Sequence, residues 1–330
     1  MQKKKFTIGV DVSKNTLDIH CAELNQHTKI TNDLEGFKCF LKFCKCYQIS
    51  ISDTFVVMEY TGGYEFRFIQ FLESKAIAYV RIPGLAIKKS MGIVRGKTDK
   101  IDAFRIAQFG EEKYKQLEPA KPINKSIVAL KNLLTFRKGL VRNLATYKGS
   151  TKERNHMYEI SNADIIIKSS NKLIKQLEAE IEVLNEAILN VIKADQALLA
   201  NYVLVTSIKG IGFVNAAMTI AYTENFTCFK DARAYAVYVG VVPFEYSSGT
   251  SINGRRRVSP IANKELKQEL CQAARSALQW DMEMKIYGAR LKDKKHYLII
   301  LNNIKFKLIL RMFSVVKKGE LYVDRYKISA

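Results

Sequence analysis

Phe6-Thr7-Ile8-Gly9-Val10-Asp11 and, later, Phe55-Val56-Val57-Met58-Glu59 decide how this chain is read. Each is an apolar run of strand length that ends on an acid. Uninterrupted apolar runs mark strands buried on both faces. A carboxylate at the end of such a strand must be paired, neutralised or metal-bound, because an isolated buried charge is too costly. A second acidic pair follows in Lys97-Thr98-Asp99-Lys100-Ile101-Asp102. Residues three apart share one face of a helix, so Asp99 and Asp102 can point at one spot. Asp11, Glu59, Asp99 and Asp102 are therefore candidate ligands for Mg²⁺, which favours carboxylate oxygens at about 2.0–2.1 Å in near-octahedral geometry. Simpler roles exist for each acid. Strand-end Asp residues often begin turns, and Asp99 with Asp102 also suits a helix N-cap followed by a first-turn acid.

Working outward from the first run, Phe6–Asp11 and Leu17–Ala22 predict a hairpin, and a short strand is expected near Lys29-Ile30. Apolar periodicity predicts a helix over Gly36–Tyr47, a strand over 54–58, a helix over 64–74 and a strand over Ala76–Ile82, which Pro83-Gly84 stops. Residues 120–200 differ in kind, being long, helical in period and nearly free of Gly and Pro. Ile174, Leu177, Ile181, Leu184, Ile188 and Val191 step by three and four, the seam of a coiled coil. Ile127, Leu130, Leu134, Val141 and Leu144 repeat the rhythm, broken by Arg137. A helical hairpin joined near 150–163 is expected. Its seam serves either the hairpin itself or a second protomer, and its length favours a part in oligomerisation.

Beyond residue 200, Lys209-Gly210-Ile211-Gly212 precedes a predicted helix at Val214–Ala221 and resembles a helix-hairpin-helix turn. The free backbone N–H groups of such a turn hold a phosphate without reading bases; an ordinary tight turn has the same sequence. An aromatic strand-like run, Tyr238–Tyr246, then leads into Ser247-Ser248-Gly249 and the polar stretch to Gly254. The basic cluster Arg255-Arg256-Arg257 follows at once.

Composition sets the class of partner. The chain has 330 residues, enough for more than one core, and 48% hydrophobic residues exclude wholesale disorder. A formal charge of +21 calls for a polyanion, of which nucleic acid is the commonest. Asn253–Ala330 holds eighteen Lys/Arg against seven Asp/Glu, so over half of the excess lies in the last quarter. The six cysteines show no zinc-ribbon spacing and read as reduced thiols. No signal-peptide or membrane-length apolar run is present, so the expected compartment is the cytoplasm, with no membrane partner.

Three blocks, Gly9-Val10-Asp11-Val12-Ser13-Lys14, Met58-Glu59-Tyr60-Thr61-Gly62-Gly63-Tyr64 and Gly96-Lys97-Thr98-Asp99-Lys100-Ile101-Asp102-Ala103, resemble those of the DEDD transposases of bacterial insertion-sequence family 110, relatives of the pilin-gene invertases. Val242-Pro243-Phe244-Glu245-Tyr246-Ser247-Ser248-Gly249 is similar to the part of that family that carries its nucleophilic serine. One departure is Val258-Ser259-Pro260-Ile261-Ala262-Asn263, where relatives tend to carry a Lys-x-Gly stretch.

The resemblance implies an α/β plus α architecture. A ribonuclease H-like (RuvC-like) domain would occupy residues 1–115 and a helical coiled-coil connector 116–200. A mainly helical transposase domain with a helix-hairpin-helix-like segment would occupy 201–330. It implies catalysis by Ser248 (or its neighbour Ser247) with Asp11, Glu59, Asp99 and Asp102 holding Mg²⁺. Lys209, Gly210, Gly212, Arg255, Arg256 and Arg257 are the expected nucleic-acid contacts. The implied function is RNA-guided recombination of donor and target DNA through a phosphoserine intermediate, by a homo-oligomer (dimer or tetramer) carrying a noncoding guide RNA from its own element. The alternatives are a metal-dependent Holliday-junction resolvase or nuclease, and a non-catalytic nucleic-acid scaffold.

Overall fold

The protein was analysed as a computed structural model, which describes residues 5–90, 98–158, 164–248 and 252–324. The chain forms two compact units, Met1–Pro122 and Ile123–Ala330.

In the first unit, β1 (Phe6–Val12), β2 (Thr16–Cys21) and β3 (Gln26–Thr31) are followed by α1 (Leu34–Cys46), β4 (Thr54–Glu59), α2 (Phe66–Ser74), β5 (Ala78–Ile82), α3 (Gly84–Ser90) and α4 (Asp99–Glu112). The strands make one mixed sheet in the order β3-β2-β1-β4-β5. β1, β2 and β3 pair antiparallel, while β4 pairs parallel with both β1 and β5. The strands expected first and fourth are thus neighbours. Their last registered pair is Val10 with Met58, so Asp11 and Glu59 are the next residue on each strand.

Helices cover both faces. Gly9 and Thr7 lie under α4, so by strand alternation Phe6, Ile8 and Val10 face the opposite layer. α1 and α2 meet through Phe37, Phe40, Phe68 and Phe71, with ring centroids 5.2–6.5 Å apart. Three predicted boundaries move for local reasons. α1 starts at Leu34 because the Asp33 carboxylate caps it, accepting from the Gly36 N–H at 2.9 Å. α2 starts at Phe66 because Thr61–Glu65 is tied into a loop. β5 starts at Ala78 because Ala76 sits at φ +52°, outside strand geometry.

The second unit comprises α5 (Lys125–Tyr158), α6 (Ile165–Ala194), α7 (Gln196–Thr206), α8 (Phe213–Tyr222), α9 (Ala232–Val239), β6 (Pro243–Ser248), β7 (Ile252–Val258), α10 (Lys264–Trp280), α11 (Met282–Leu291) and α12 (Tyr297–Lys318). α5 and α6 pack as an antiparallel hairpin. Arg137 Nε donates to Asn185 Oδ1 at 2.6 Å, and Lys148 meets Glu178 at 2.6 Å. Arg137, which breaks the apolar rhythm of α5, is therefore a cross-hairpin contact. The α6 seam faces α5 of the same chain, with Ile181 and Ile188 buried along it.

The helices expected at 116–200 as a separate connector are built into this unit. Ile127, Leu130, Leu134, Ile188 and Ile192 share one buried core with residues of α7–α12. The predicted aromatic strand at Tyr238–Tyr246 is divided. Tyr238 and Val239 end α9, Gly240 closes that helix at φ +78°, and the strand begins only at Pro243.

Candidate active site

α4 is seated on the sheet by small residues. A β-carbon on Gly9 would stand 2.4 Å from the Ala103 carbonyl oxygen, and one on Gly110 would stand 2.5 Å from Val57 Cγ2. This close approach brings the first turn of α4 toward the end of β1. Thr98 is the N-cap, its hydroxyl accepting from the Ile101 N–H at 3.3 Å. Asp99 and Asp102 therefore lie inside the first turn, and neither carboxylate is used as the cap. Gly96 and Lys97 of the same block lie outside the described residues.

The other three acids act on Asp11. The Asp11 carboxyl is pushed up to about 6, first by burial and then by the negative charges of Asp102, Asp99, Glu59 and Asp18. Glu59 leans on Gly84, where a β-carbon would stand 1.9 Å from its Oε1. Two of the acids are held in ion pairs. Asp102 Oδ1 accepts from Arg105 at 3.1 Å, and Lys29 Nζ lies 3.4 Å from Asp99 Oδ2. Among the described residues, no three acidic, imidazole or thiol side chains stand together as a ready-made metal site. Charge converges at Asp11, while the carboxylates ring the spot without closing on it.

Sequence reasoning missed the partners of these acids. Asp18 is buried and stands opposite Asp11 in the β1–β2 register. Its oxygens meet His27 Nε2 at 2.9 Å and Lys29 Nζ at 3.1 Å, so Lys29 links Asp18 to Asp99. The alternation along β2 and β3 puts Asp18, His20, His27 and Lys29 on the Asp11 face, and that alternation was the available signal. Asn32 was also missed. Its side-chain amide donates to the Ser13 carbonyl at 3.0 Å and to the Tyr64 carbonyl at 2.9 Å. It thereby ties the turn after Asp11 to the loop after Glu59. Glu65 braces that loop, accepting from Thr61 Oγ1 at 2.5 Å and from the Gly63 N–H at 2.8 Å.

The remaining candidates lie in the second unit. Ser247 pairs with Asn253 and Ser248 with Ile252, so the serines occupy the last rungs of the β6–β7 ladder. Asn253 and Gly254, read from sequence as loop, belong to β7; Gly249 lies outside the described residues. Arg255, Arg256 and Arg257 all fall on β7. Arg256 is ion-paired with Glu245, and Arg257 is exposed opposite Phe244.

At the predicted phosphate turn, Gly210 adopts φ +93° and lies against α10, where a β-carbon would meet the Ala273 carbonyl oxygen at 2.8 Å. Gly212 is the N-cap of α8 with open space around it. Lys209 is ion-paired with Asp324, and the Ser207 hydroxyl accepts from the Tyr322 N–H at 2.8 Å. The segment around 322–324 therefore lies over this turn. All six cysteines are free. Among the described residues no single helix is long and apolar enough to cross a membrane.

Comparison with known proteins identifies the family. Residues 8–157 match a transposase family model, that of the DEDD transposases of insertion-sequence family 110. Residues 202–289 match a second, the transposase IS116/IS110/IS902 family. The pilin gene-inverting proteins of Moraxella lacunata and Moraxella bovis are each 28% identical over 276 residues, covering 82% of either chain. An uncharacterized 43.6 kDa protein of insertion element IS110 from Streptomyces coelicolor is 28% identical over 122 residues, 36% of this chain and 30% of that one. The chain is therefore a DNA transposase, an enzyme that recombines DNA. It belongs to the insertion-sequence 110 family.

Membership implies a divalent metal ion, and the residues present suit one. The donor set is carboxylate oxygen, and a cation offsets the negative charges that add to burial in raising Asp11.

Proposed function

We propose that the chain carries out site-specific strand exchange between donor and target DNA, with Ser248 as nucleophile. The observation that carries this reading is the raised Asp11 carboxyl, caused by burial and by the other three acids of the family's own pattern. The first unit is assigned a ribonuclease H-like (RuvC-like) fold on the strand order β3-β2-β1-β4-β5. Asp11, Glu59, Asp99 and Asp102 would hold Mg²⁺, which supplies charge neutralisation at the phosphate and lowers the cost of deprotonating a hydroxyl.

Ser248 Oγ forms a bond to phosphorus while the bond from phosphorus to one deoxyribose oxygen breaks. The serine gives up its proton and the departing oxygen takes one. The phosphoserine ester conserves the phosphodiester for attack by a hydroxyl of the new partner strand. Arg257 and the α8 turn at Gly210-Gly212 hold backbone phosphates, and the high net charge supplies affinity without sequence choice. Sequence choice falls to base pairing with a noncoding RNA of the element itself, as the family resemblance implies.

A homo-oligomer fits the second unit, because the α5–α6 hairpin leaves apolar side chains such as Phe136 (61% exposed) and Val183 (58%) open. The cytoplasm is the expected compartment.

One observation favours hydrolysis without a covalent step, namely that all four acids belong to one compact unit. The deciding experiment incubates the protein with cleavable DNA and Mg²⁺ and looks for a denaturant-resistant protein–DNA adduct that Ser248→Ala abolishes. Strand cleavage that persists in Ser248→Ala, with no adduct in the parent, would establish the nuclease. Sequencing the RNA copurified from the host tests the guide: a match to DNA flanking the gene is expected.

A further inference from the structure

The β6–β7 hairpin carries a feature that strand exchange alone does not explain. Phe244 is 45% exposed and Tyr246 is 68% exposed, although both belong to a ladder. Between them lies an open groove of about 640 Å³, flanked by Pro260 and rimmed by Glu245 and Arg257. That volume falls within the range of small-molecule sites, roughly 300–1,000 Å³.

The hairpin is built to present these rings. Phe244 pairs with Arg257, but Tyr246 pairs with Gly254, so β7 holds one more residue than β6 between the two rungs. Such a bulge re-aims the side chains beside it. It places Tyr246 opposite a residue with no side chain, and the ring packs across the bare α-carbon: a β-carbon on Gly254 would stand 2.8 Å from Tyr246 Cδ1. The two arginines of the rim differ. Arg256 is neutralised by Glu245, whereas Arg257 has no acidic partner among the described residues. The groove therefore combines two exposed aromatic rings and a proline with one uncompensated guanidinium. That is the chemistry of a flat aromatic ligand carrying a neighbouring negative charge.

We propose that this groove is a stacking site for an unpaired nucleobase of the DNA strand that Ser248 cleaves, with Arg257 on its phosphate. The identity of the strand rests on the reading of Ser248 as nucleophile. Ser248 lies two residues beyond Tyr246 on β6, about 7 Å along the strand. A base held by the rings is thus within a nucleotide or so of the phosphate under attack. Stacking on aromatic side chains tolerates any base, so the site positions the strand and leaves sequence choice elsewhere.

The test uses the full chain and an oligothymidine bearing one central 2-aminopurine, whose fluorescence falls on stacking. The parent protein is expected to quench it. Tyr246→Ala and Phe244→Ala are each expected to lose quenching and about tenfold in affinity, with the salt dependence of binding unchanged. Tyr246→Trp should restore both. Arg257→Ala should keep the quench and flatten the log–log salt slope by about one contact. Circular dichroism and melting curves confirm that each variant folds.

Parental affinity and quenching in Tyr246→Ala and Phe244→Ala would overturn the site, as would an affinity loss accompanied by a flatter salt slope. Quenching confined to the equivalent oligouridine would overturn its assignment to DNA. Ser248→Ala should quench like the parent. Absence of the covalent adduct in the parent protein, with its quenching intact, would remove the nucleophile reading and leave the stacking site standing.

Discussion

Gly9 and Ala107 touch backbone to backbone: a β-carbon on Gly9 would stand 2.2 Å from the Ala107 nitrogen. The contact fixes the height of α4 above β1, and with it the position of Asp102 and Asp99 relative to Asp11. Gly9→Val should force the helix away. Overpacking of this kind costs about 1–3 kcal/mol, so a lower urea midpoint and a loss of strand exchange are expected together. A variant of parental stability and activity would show that the contact does not set the site.

Asn32 joins the two acid-bearing loops through a single amide. Asn32→Leu removes both hydrogen bonds and leaves two carbonyls without that donor, at a cost of about 1–3 kcal/mol. The Mg²⁺ concentration that gives half-maximal activity should rise, while DNA affinity stays parental. An unchanged Mg²⁺ requirement would reduce Asn32 to a purely structural role.

Replacing Asp11, Glu59, Asp99 or Asp102 by its amide keeps the shape and removes a charge. Each change should abolish recombination and leave nucleic-acid binding nearly intact, because affinity comes from cations on phosphates. Gel-shift and strand-exchange assays on the same preparations check this. Full activity in Asp102→Asn would break the four-acid set.

Asp11 also predicts a pH dependence of stability. Its folded-state pKa is raised from 3.8 to about 6, so the folded chain holds the extra proton between those values. The associated stability is present below the lower value and is lost as pH rises through the upper one. In chelator, the contribution of this group to the melting temperature should therefore fall between about pH 4 and pH 6 and level off above. Asp11→Asn should remove that fall and melt higher at pH 7. The same pH profile in parent and variant would contradict the assignment.

The triple variant Arg255→Ala, Arg256→Ala, Arg257→Ala should weaken binding alike across sequences. Because Glu245 already neutralises Arg256, its salt slope should flatten by fewer than about three contacts. An unchanged slope would remove these arginines from the interface.

Much of this architecture was legible because it rests on periodicity. Apolar runs of strand length located β1 and β4, and the spacing of Ile174–Val191 located α6 and its apolar seam, but not that α5 of the same chain is what the seam meets. What stayed hidden depends on pairings between distant residues. Lys29 gives no sign in sequence that it meets Asp99, seventy positions away. Asn32 reads as an ordinary residue before a helix, yet it spans two loops. The Tyr238–Tyr246 run misled because its aromatic content suits a strand, while Gly240 ends a helix inside it. Thr98 and Asp99 both suit an N-cap, and only geometry distinguishes them.

Among the described residues, the α5–α6 hairpin is rooted in the core of the second unit at one end. Ile127–Leu134 and Ile188–Ile192 are embedded in the core of the second unit, while the far half depends on the two helices gripping each other. With 34 residues, α5 is about 50 Å long at 1.5 Å per residue, and about 35 Å of it lies beyond Leu134. Its reach is thereby decoupled from the fold that carries it. Matched seven-residue insertions or deletions in both helices would lengthen or shorten the arm while preserving the seam, and no core side chain would have to move. The span between the far half of the arm and the β6–β7 hairpin is thus an adjustable dimension of this enzyme.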